Sequence, residues 1–354
     1  FRLPSPPKTM PPQNSKPKIV ITGGCGFIGH HVVEHMVLHR PQNDIIVLDK
    51  LSYASQGLER LRDTGVMDKV KVYSVDLYRE LPEGIKYEIG TNVDFIVHMA
   101  AETHVDNSIL DPVPFVKNNV NSTLTMLEWA RELKNLKAFF YFSTDEVYGP
   151  ALGGRLFKET DRHHPANPYS ASKSACEQLM MGYENTYKIP TIMMNVMNAF
   201  GERQHPEKFI VKVINAVLKG EVIKIHSYPD RKRAGTRFYI HARNIAAAVL
   251  FLLDKGKPGE IYHLVGDREV DNLELAQMIA KVVGKPLKYE MVDFHSTRPG
   301  HDLRYGLNGD KMASMGWKPP STFEQSLTKT VQWTLANPSW LEGLEFGAKP
   351  IARL

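Results

Sequence analysis

The chain is 354 residues long, 42% hydrophobic and 23% charged, with a net charge of +5 spread along its length. That size suits one large or two modest domains with a sizeable core, and so small a dispersed charge excludes an extended nucleic-acid face while suiting a smaller acidic ligand. Its two cysteines, Cys25 and Cys176, lie far from each other and from any metal-ligating pattern, which argues against a disulfide scaffold or a zinc site and makes a reducing cytosol the expected compartment.

Residues 1–17, FRLPSPPKTMPPQNSKP, are rich in proline and polar residues, lack the apolar centre of a signal peptide, and are expected to be disordered. No later apolar run is long enough to span a bilayer. From Lys18 the pattern alternates. KIVIT is followed by a helix from Ile28, then by DIIVLD, KVKVYSVD, VDFIVHMAA, a helical stretch over 113–133, and AFFYFST. Nearly continuous apolar strands separated by amphipathic helices predict a doubly wound α/β domain with a parallel sheet covered on both faces. Downstream, a helix is predicted over 168–187, then the strand TIMMNVMN, a helix from Glu207, a helical stretch over 244–253, the strand EIYHLVG and a helix from Asn272. The expected organisation is a dinucleotide-binding domain over 18–198, to which a segment around 237–265 returns, a smaller α+β substrate lobe over 199–340, and a tail over 341–354.

The first strand runs into TGGCGFIG, with Gly23, Gly26 and Gly29 spaced three apart at the start of a helix. Glycine at such positions allows a tight turn, close backbone approach to a pyrophosphate, and contact between helix and sheet, and the helix N-terminus favours the negative charge. Asp49 ends the second strand 20 residues beyond Gly29, where a carboxylate accepts from a ribose 2′-hydroxyl and repels the additional phosphate of NADP. Lys50 beside it acts in the opposite sense. The reading favours NAD, with Asp76, at the end of the third strand, in a position to reach the adenine.

FSTDEVYG raises a different question, because Thr144, Asp145 and Glu146 stand side by side at the end of an apolar strand. Adjacent acids repel one another and are costly to desolvate, so either a reaction uses them or they face water. Further on, NPYSASK places Tyr169 and Lys173 four apart on one helix face. An ammonium beside the phenol, with a cationic nicotinamide near it, lowers the phenol's pKa and lets it act as a base.

TGGCGFIG, STDEVYG and NPYSASK together resemble the extended short-chain dehydrogenase/reductases, and TDE resembles the mark of their nucleotide-sugar 4,6-dehydratases. The similarity continues through DKLSYAS, HMAAETHVDNS, NAFGERQHPEKFI and RPGHDLRYG, covering most of 18–335. Relatives that epimerise or decarboxylate usually lack the Asp-Glu pair.

The resemblance implies a lyase with tightly bound NAD. Tyr169, with Lys173 and Thr144, would take the proton of the sugar C4 hydroxyl; Glu146 would remove the C5 proton; and protonated Asp145 would release the C6 hydroxyl as water, giving a 4-keto-6-deoxy sugar. It places the cofactor against Gly23, Gly26, Phe27, Ile28, Gly29, Asp49, Lys50, Ser52, Asp76, Leu77, Ala100 and Ala101, as well as Tyr169 and Lys173. It places the nucleoside-diphosphate sugar against Thr103, His104, Asn198, Glu207, Lys208, Arg237, Asn272, Arg298 and His301.

This chain departs from the family pattern at Asn195, where an arginine is usual, and at His226, where an aromatic is usual near the base. The resemblance further implies a homodimer built by a four-helix bundle from the stretches 113–133 and 168–187. Two other readings keep the fold: a dehydratase or 4-epimerase of another hexose such as UDP-N-acetylglucosamine, and an inactive NAD(H)-binding scaffold.

Overall fold

The computed structural model describes residues 16–52, 55–293 and 303–342. The expected disordered segment, apart from its last two residues, lies outside that range, as do Arg298, His301 and most of the tail.

The first half of the chain forms β1 (Lys18–Thr22), α1 (Phe27–His39), β2 (Asp44–Asp49), α2 (Glu59–Asp63), β3 (Lys71–Ser74), α3 (Glu83–Ile89) and β4 (Phe95–His98). It continues with α4 (Val105–Leu110), α5 (Pro112–Glu132), β5 (Ala138–Thr144), α6 (Pro168–Tyr187) and β6 (Thr191–Val196). Then come β7 (Ala199–Phe200), α7 (Phe209–Lys219), β8 (Val222–Ser227), β9 (Thr236–Phe238), β10 (Ile240–His241) and α8 (Ala242–Lys255). The last elements are β11 (Glu260–Leu264), β12 (Glu269–Asp271), α9 (Asn272–Val283), β13 (Lys288–Asp293), α10 (Asp310–Ser314), α11 (Phe323–Ala336) and α12 (Ser339–Glu342).

Seven strands form one parallel sheet in the order β11-β6-β5-β4-β1-β2-β3. This is the doubly wound α/β architecture expected from the alternating pattern. The strand β5 shows why its sequence reads as continuously apolar. All seven of its residues are buried, with Phe140 and Phe142 facing one apolar cluster and Phe139 and Tyr141 the other. Helices α1 and α8 supply Val32, Val33, Ile245 and Val249 to the first cluster, and α5 and α6 supply Met126, Leu127, Cys176 and Met180 to the second.

The segment from α8 to β11 rejoins this sheet, since β11 pairs with β6 and α8 packs along α1. A third cluster is built from α7, α9, α11 and β8, including Ile214, Ile225, Leu275, Ile279 and Leu327. Strand order reverses between β1 and β4, which opens a crevice at the carboxyl ends of the strands, where ligands of such sheets bind.

Local chemistry adjusts some predicted boundaries. The single helix expected over 113–133 is preceded by the separate α4, because Asp111 adopts φ −140° and Pro112 then starts α5 as an N1 proline. The third strand stops at Ser74, before Asp76, whose carboxylate accepts from the Tyr78 backbone N–H at 3.0 Å in the turn that follows.

Candidate active site

The strand β5 delivers Thr144 to the mouth of the crevice, and a 3-10 turn over Asp145–Tyr148 follows at once. Thr144 caps this turn. Its hydroxyl donates to Asp145 Oδ1 at 2.9 Å and accepts from the Glu146 backbone N–H at 3.4 Å. The two acids are not a solvated loop start, because Asp145 is only 4% exposed and Glu146 9%. Asp145 Oδ2 has no hydrogen-bond partner among the described residues. Burial first, and then the neighbouring Glu146 charge, push the Asp145 carboxyl up to about 7. Near neutrality it therefore carries a proton for much of the time, with one oxygen unengaged.

Glu146 is held differently. Asn167 Nδ2 donates to its Oε2 at 2.9 Å, while Asn167 Oδ1 accepts from the Ser170 backbone N–H at 2.8 Å and caps α6. That cap, reinforced by a reciprocal Ser170 contact and by Pro168 at N1, fixes where α6 begins and so where Tyr169 and Lys173 sit. Tyr169 is buried and has Thr144 as a hydrogen-bond partner. Thr144, Asp145, Glu146 and Tyr169 thus converge on one spot.

The expected lowering of the phenol's pKa depends on Lys173 and a cationic nicotinamide together, and the protein's own groups act in the opposite sense. Burial, followed by Glu146, raises the Tyr169 phenol above its ordinary value; the Thr144 hydrogen bond opposes this and Asp145 adds to it. Lys173 lies with its ammonium 4.3 Å from the Tyr141 ring centroid, and burial brings its own pKa down to about 8. Desolvation and two carboxylates prevail among the protein's own groups around the phenol, so a further positive charge is required to make it acidic.

Beside this cluster lies the glycine loop. Gly23 has φ +68°, and a Cβ there would sit 2.8 Å from the Ala100 nitrogen; one on Gly29 would sit 2.0 Å from the Gly23 carbonyl oxygen. The loop is pressed against the end of β4 and the first turn of α1. Asp49 accepts from the backbone N–H of Leu51 at 2.8 Å and of Cys25 at 3.0 Å, so its carboxylate ties the end of β2 to the loop. Burial raises its pKa and these two donors oppose the rise. Lys50 turns to Glu102 Oε1 at 2.5 Å and Asn118 Oδ1 at 3.4 Å, which commits its ammonium to other partners.

The family model for GDP-mannose 4,6 dehydratase matches residues 20–330. The chain belongs to that family. Among curated relatives, a dTDP-glucose 4,6-dehydratase of Escherichia coli is 35% identical, across 94% of this chain and 96% of its own. A trifunctional Arabidopsis thaliana protein whose first activity is UDP-glucose 4,6-dehydratase is also 35% identical, across 92% of this chain and 48% of its own. Among solved structures, a dTDP-glucose 4,6-dehydratase of Streptomyces venezuelae with NAD bound superposes with a TM-score of 0.82 at 31% identity, covering 92% of this chain and 99% of that one.

In this member of the dehydratase family, the other expected site residues divide into two groups. Phe27 and Ile28 open α1 inside the glycine loop, and Ala100 donates its backbone N–H to Thr22 Oγ1 at 3.1 Å, with Ala101 next to it. Ser52 holds a turn through its carbonyl, which accepts from Ser55 N–H at 3.0 Å, and Leu77 is a core residue next to the exposed Asp76. On the other side, His104 caps α4 and its Nε2 lies 3.3 Å from Glu207 Oε2, which brings two expected substrate residues together; Thr103 precedes them on the surface. Lys208 stands at the N-terminus of α7.

Arg237 is buried. Its Nη1 donates to the Thr236 and Leu303 carbonyls at 2.8 and 2.6 Å, and its charge reaches Asp145. Asn272 accepts from the Tyr239 hydroxyl at 2.8 Å, and Asn198 Oδ1 is a buried acceptor with no partner among the described residues.

Three polar residues went unassigned in the sequence. Asn167 carries a recognisable signal, an Asn before the N1 proline of a helix, yet nothing local says that its amide reaches Glu146. His163 and Glu177 meet only in three dimensions, with Nε2 and Oε2 3.5 Å apart.

Proposed function

We propose that the protein dehydrates a nucleoside-diphosphate glucose, UDP- or dTDP-linked, to its 4-keto-6-deoxy sugar with NAD as resident cofactor. The observation that carries this reading is the buried pair of unlike carboxyls: Asp145 with a free oxygen and a raised pKa, and Glu146 held by Asn167, both beside Tyr169. Elimination of water across C5 and C6 requires one acid and one base on neighbouring atoms, and mutual repulsion between the acids separates their protonation states.

The residues present fit NAD. Glycine at Gly23 and Gly29 lets the loop pack tightly against Ala100 and against its own backbone, the α1 N-terminus suits a pyrophosphate, and Asp49 lies where a ribose is read. The ammonium of Lys173 makes no hydrogen bond among the described residues, and the Tyr169 phenol requires an added positive charge, which an oxidised nicotinamide has. When bound, NAD supplies a reversible two-electron acceptor for sugar C4 and donor for C6.

The chain's own groups then move protons. Tyr169 Oη takes the C4 hydroxyl proton, with Thr144 and Lys173 orienting it. The resulting 4-ketone acidifies the C5 hydrogen, which Glu146 removes, and Asp145 Oδ2 protonates the C6 hydroxyl so that it leaves as water. His104, Asn198, Glu207, Lys208, Arg237 and Asn272 are assigned to the nucleoside-diphosphate side of the crevice, where cationic and amide donors match phosphate oxygens.

The assembly we assign is a homodimer through α5 and α6. Val113, Val116 and Leu124 of α5 and Tyr187 of α6 are exposed apolar residues, and a shallow groove on α6 runs past Ala175, Leu179 and Gly182. A sedimentation mass of one chain would overturn this assembly.

The test of function is mass spectrometry of products after incubation with UDP-glucose, dTDP-glucose or UDP-N-acetylglucosamine and catalytic NAD. Loss of one water from a glucose nucleotide without net NADH is the expected result. No mass change with any of them would remove the reading, and an isomer of unchanged mass would transfer it to epimerisation.

A further inference from the structure

Tyr169, Lys173 and Glu177 follow one another at intervals of four residues and so share one face of α6. Glu177 is 0% exposed, an unusual place for a carboxylate that no arginine or lysine touches among the described residues. Its Oε1 accepts from the Ser143 hydroxyl and from Asn195 Nδ2, the latter at 2.8 Å, and both donors are neutral. Asn195 Nδ2 also reaches the Thr144 carbonyl at 3.2 Å, which joins this carboxylate to the end of the catalytic strand. The second oxygen, Oε2, accepts no hydrogen bond among the described residues and faces His163 Nε2 at 3.5 Å, while His163 Nδ1 meets Ser174 Oγ at 2.9 Å.

The surrounding groups can be enumerated. On α6 they are Lys173 and Cys176; on β5, Tyr141; on the turn after β5, Tyr148; on the loop before α6, His163; and β6 offers only the neutral Asn195. Lys173 in turn faces Tyr141 and acts on His98 of β4. Among the described residues, Lys173 is the one positive side chain whose charge reaches Glu177; burial lowers the pKa of Lys173, and Cys176 and then Glu177 oppose that fall.

We propose that Glu177 is a positioning residue that acts as the buried counter-charge of Lys173, keeping that lysine an ammonium while Ser143 and Asn195 hold the carboxylate in place. This rests on the reading of Lys173 as the partner of Tyr169 and extends it by one helical turn into the core. Burial pushes the Glu177 carboxyl up to about 7, with Ser143, Asn195 and Lys173 opposing the rise, so its charge is present above about pH 7, the range in which Lys173 titrates.

The experiment is a pH titration of Lys173 by NMR of protein labelled with carbon-13 at lysine Cε, with the resonance assigned by its loss in Lys173→Arg. In Glu177→Gln the midpoint is expected at a pH lower by about 1 than in the unsubstituted protein, because an opposite charge has been withdrawn. In parallel, the ratio of the variant's kcat to that of the unsubstituted enzyme should fall steadily from pH 7 to 9, whereas a merely structural defect would lower kcat equally at every pH. Ser143→Ala keeps the carboxylate and removes one donor; it should move the midpoint the same way by less, and it serves if Glu177→Gln does not fold. An unmoved Lys173 midpoint in the folded variant overturns the proposal. The titration needs no turnover, so a protein inactive on every sugar nucleotide would sink the functional reading and leave this one to be judged separately.

Discussion

The amide nitrogen of Asn167 lies 2.9 Å from Glu146 Oε2, while its side-chain oxygen accepts from the Ser170 backbone N–H at 2.8 Å and caps α6. One side chain thereby couples the start of the helix bearing Tyr169 and Lys173 to the carboxylate on the turn after β5. Its two functions are separable because they use different atoms.

Asn167→Asp keeps an acceptor for Ser170 N–H but faces Glu146 with a second carboxylate. Thermal stability should change little, since Asp caps about as well as Asn, whereas kcat at pH 7 should fall about 10- to 100-fold through a displaced base. Asn167→Ala should lose activity and also about 1 kcal/mol of stability. Melting curves and kcat on the same samples check both, and equal stability losses in the two variants would contradict the division of roles.

Asp145 and Glu146 should fail at different steps. With Asp145→Asn, C5 deprotonation by Glu146 remains while loss of water slows by about 100-fold or more. Unreacted sugar nucleotide recovered from D2O should then carry deuterium at C5. With Glu146→Gln it should carry none. Deuterium in both, or in neither, would reverse or merge the roles assigned to the two acids.

Asp145 also makes a prediction about stability. Its folded pKa, about 7, lies above the ordinary 3.8, so the native state binds the proton more tightly and Asp145 costs stability increasingly as pH rises from about 4 to 7. Asp145→Asn should therefore gain stability relative to the unsubstituted protein at pH 8 and lose that advantage at pH 4.5. Denaturant midpoints at the two pH values decide it.

His98 sits at the switch point and is held neutral. Thr22 Oγ1 accepts from the backbone N–H groups of Met99 and Ala100, both at 3.1 Å, so its own proton points to His98 Nδ1 at 2.7 Å and leaves Nε2–H for Thr123 at 3.2 Å. Burial lowers its pKa to about 3, and burial likewise lowers those of His30 and His31. Folded values below the unfolded 6.5 mean that this stability is present above about pH 6.5 and drains away as the pH falls. Between pH 6.5 and 5, His98 should account for about 2 kcal/mol. His98→Gln should show a smaller acid loss than the unsubstituted protein, and an identical slope would exclude His98 as the titrating group.

Much of this architecture was legible in the residues. AFFYFST reads as a strand buried on both faces because every position is apolar or small, and TGGCGFIG with Asp49 reads as a strand, turn and helix because only glycine tolerates those contacts. The NPYSASK helix carries its own start signal in Asn167 and Pro168. These features depend on nearest neighbours and on the period of the pattern, which a linear chain displays directly.

The electrostatic state of the site did not follow from the sequence. Tyr169 and Lys173 at a spacing of four suggest a phenol made acidic by an ammonium and a nicotinamide together, and the burial and nearby carboxylates that oppose this are not visible in the spacing. Whether Asp145 and Glu146 face water or the crevice, which of them Asn167 holds, and that Glu177 lies under Lys173 all depend on strands and helices far apart in the chain meeting at one sheet edge. The sequence by itself determined the alternation of strands and helices, the glycine loop and the identity of the reactive groups. Tertiary structure decided their protonation, because desolvation and Coulomb interaction act through space and depend on what is packed around each group.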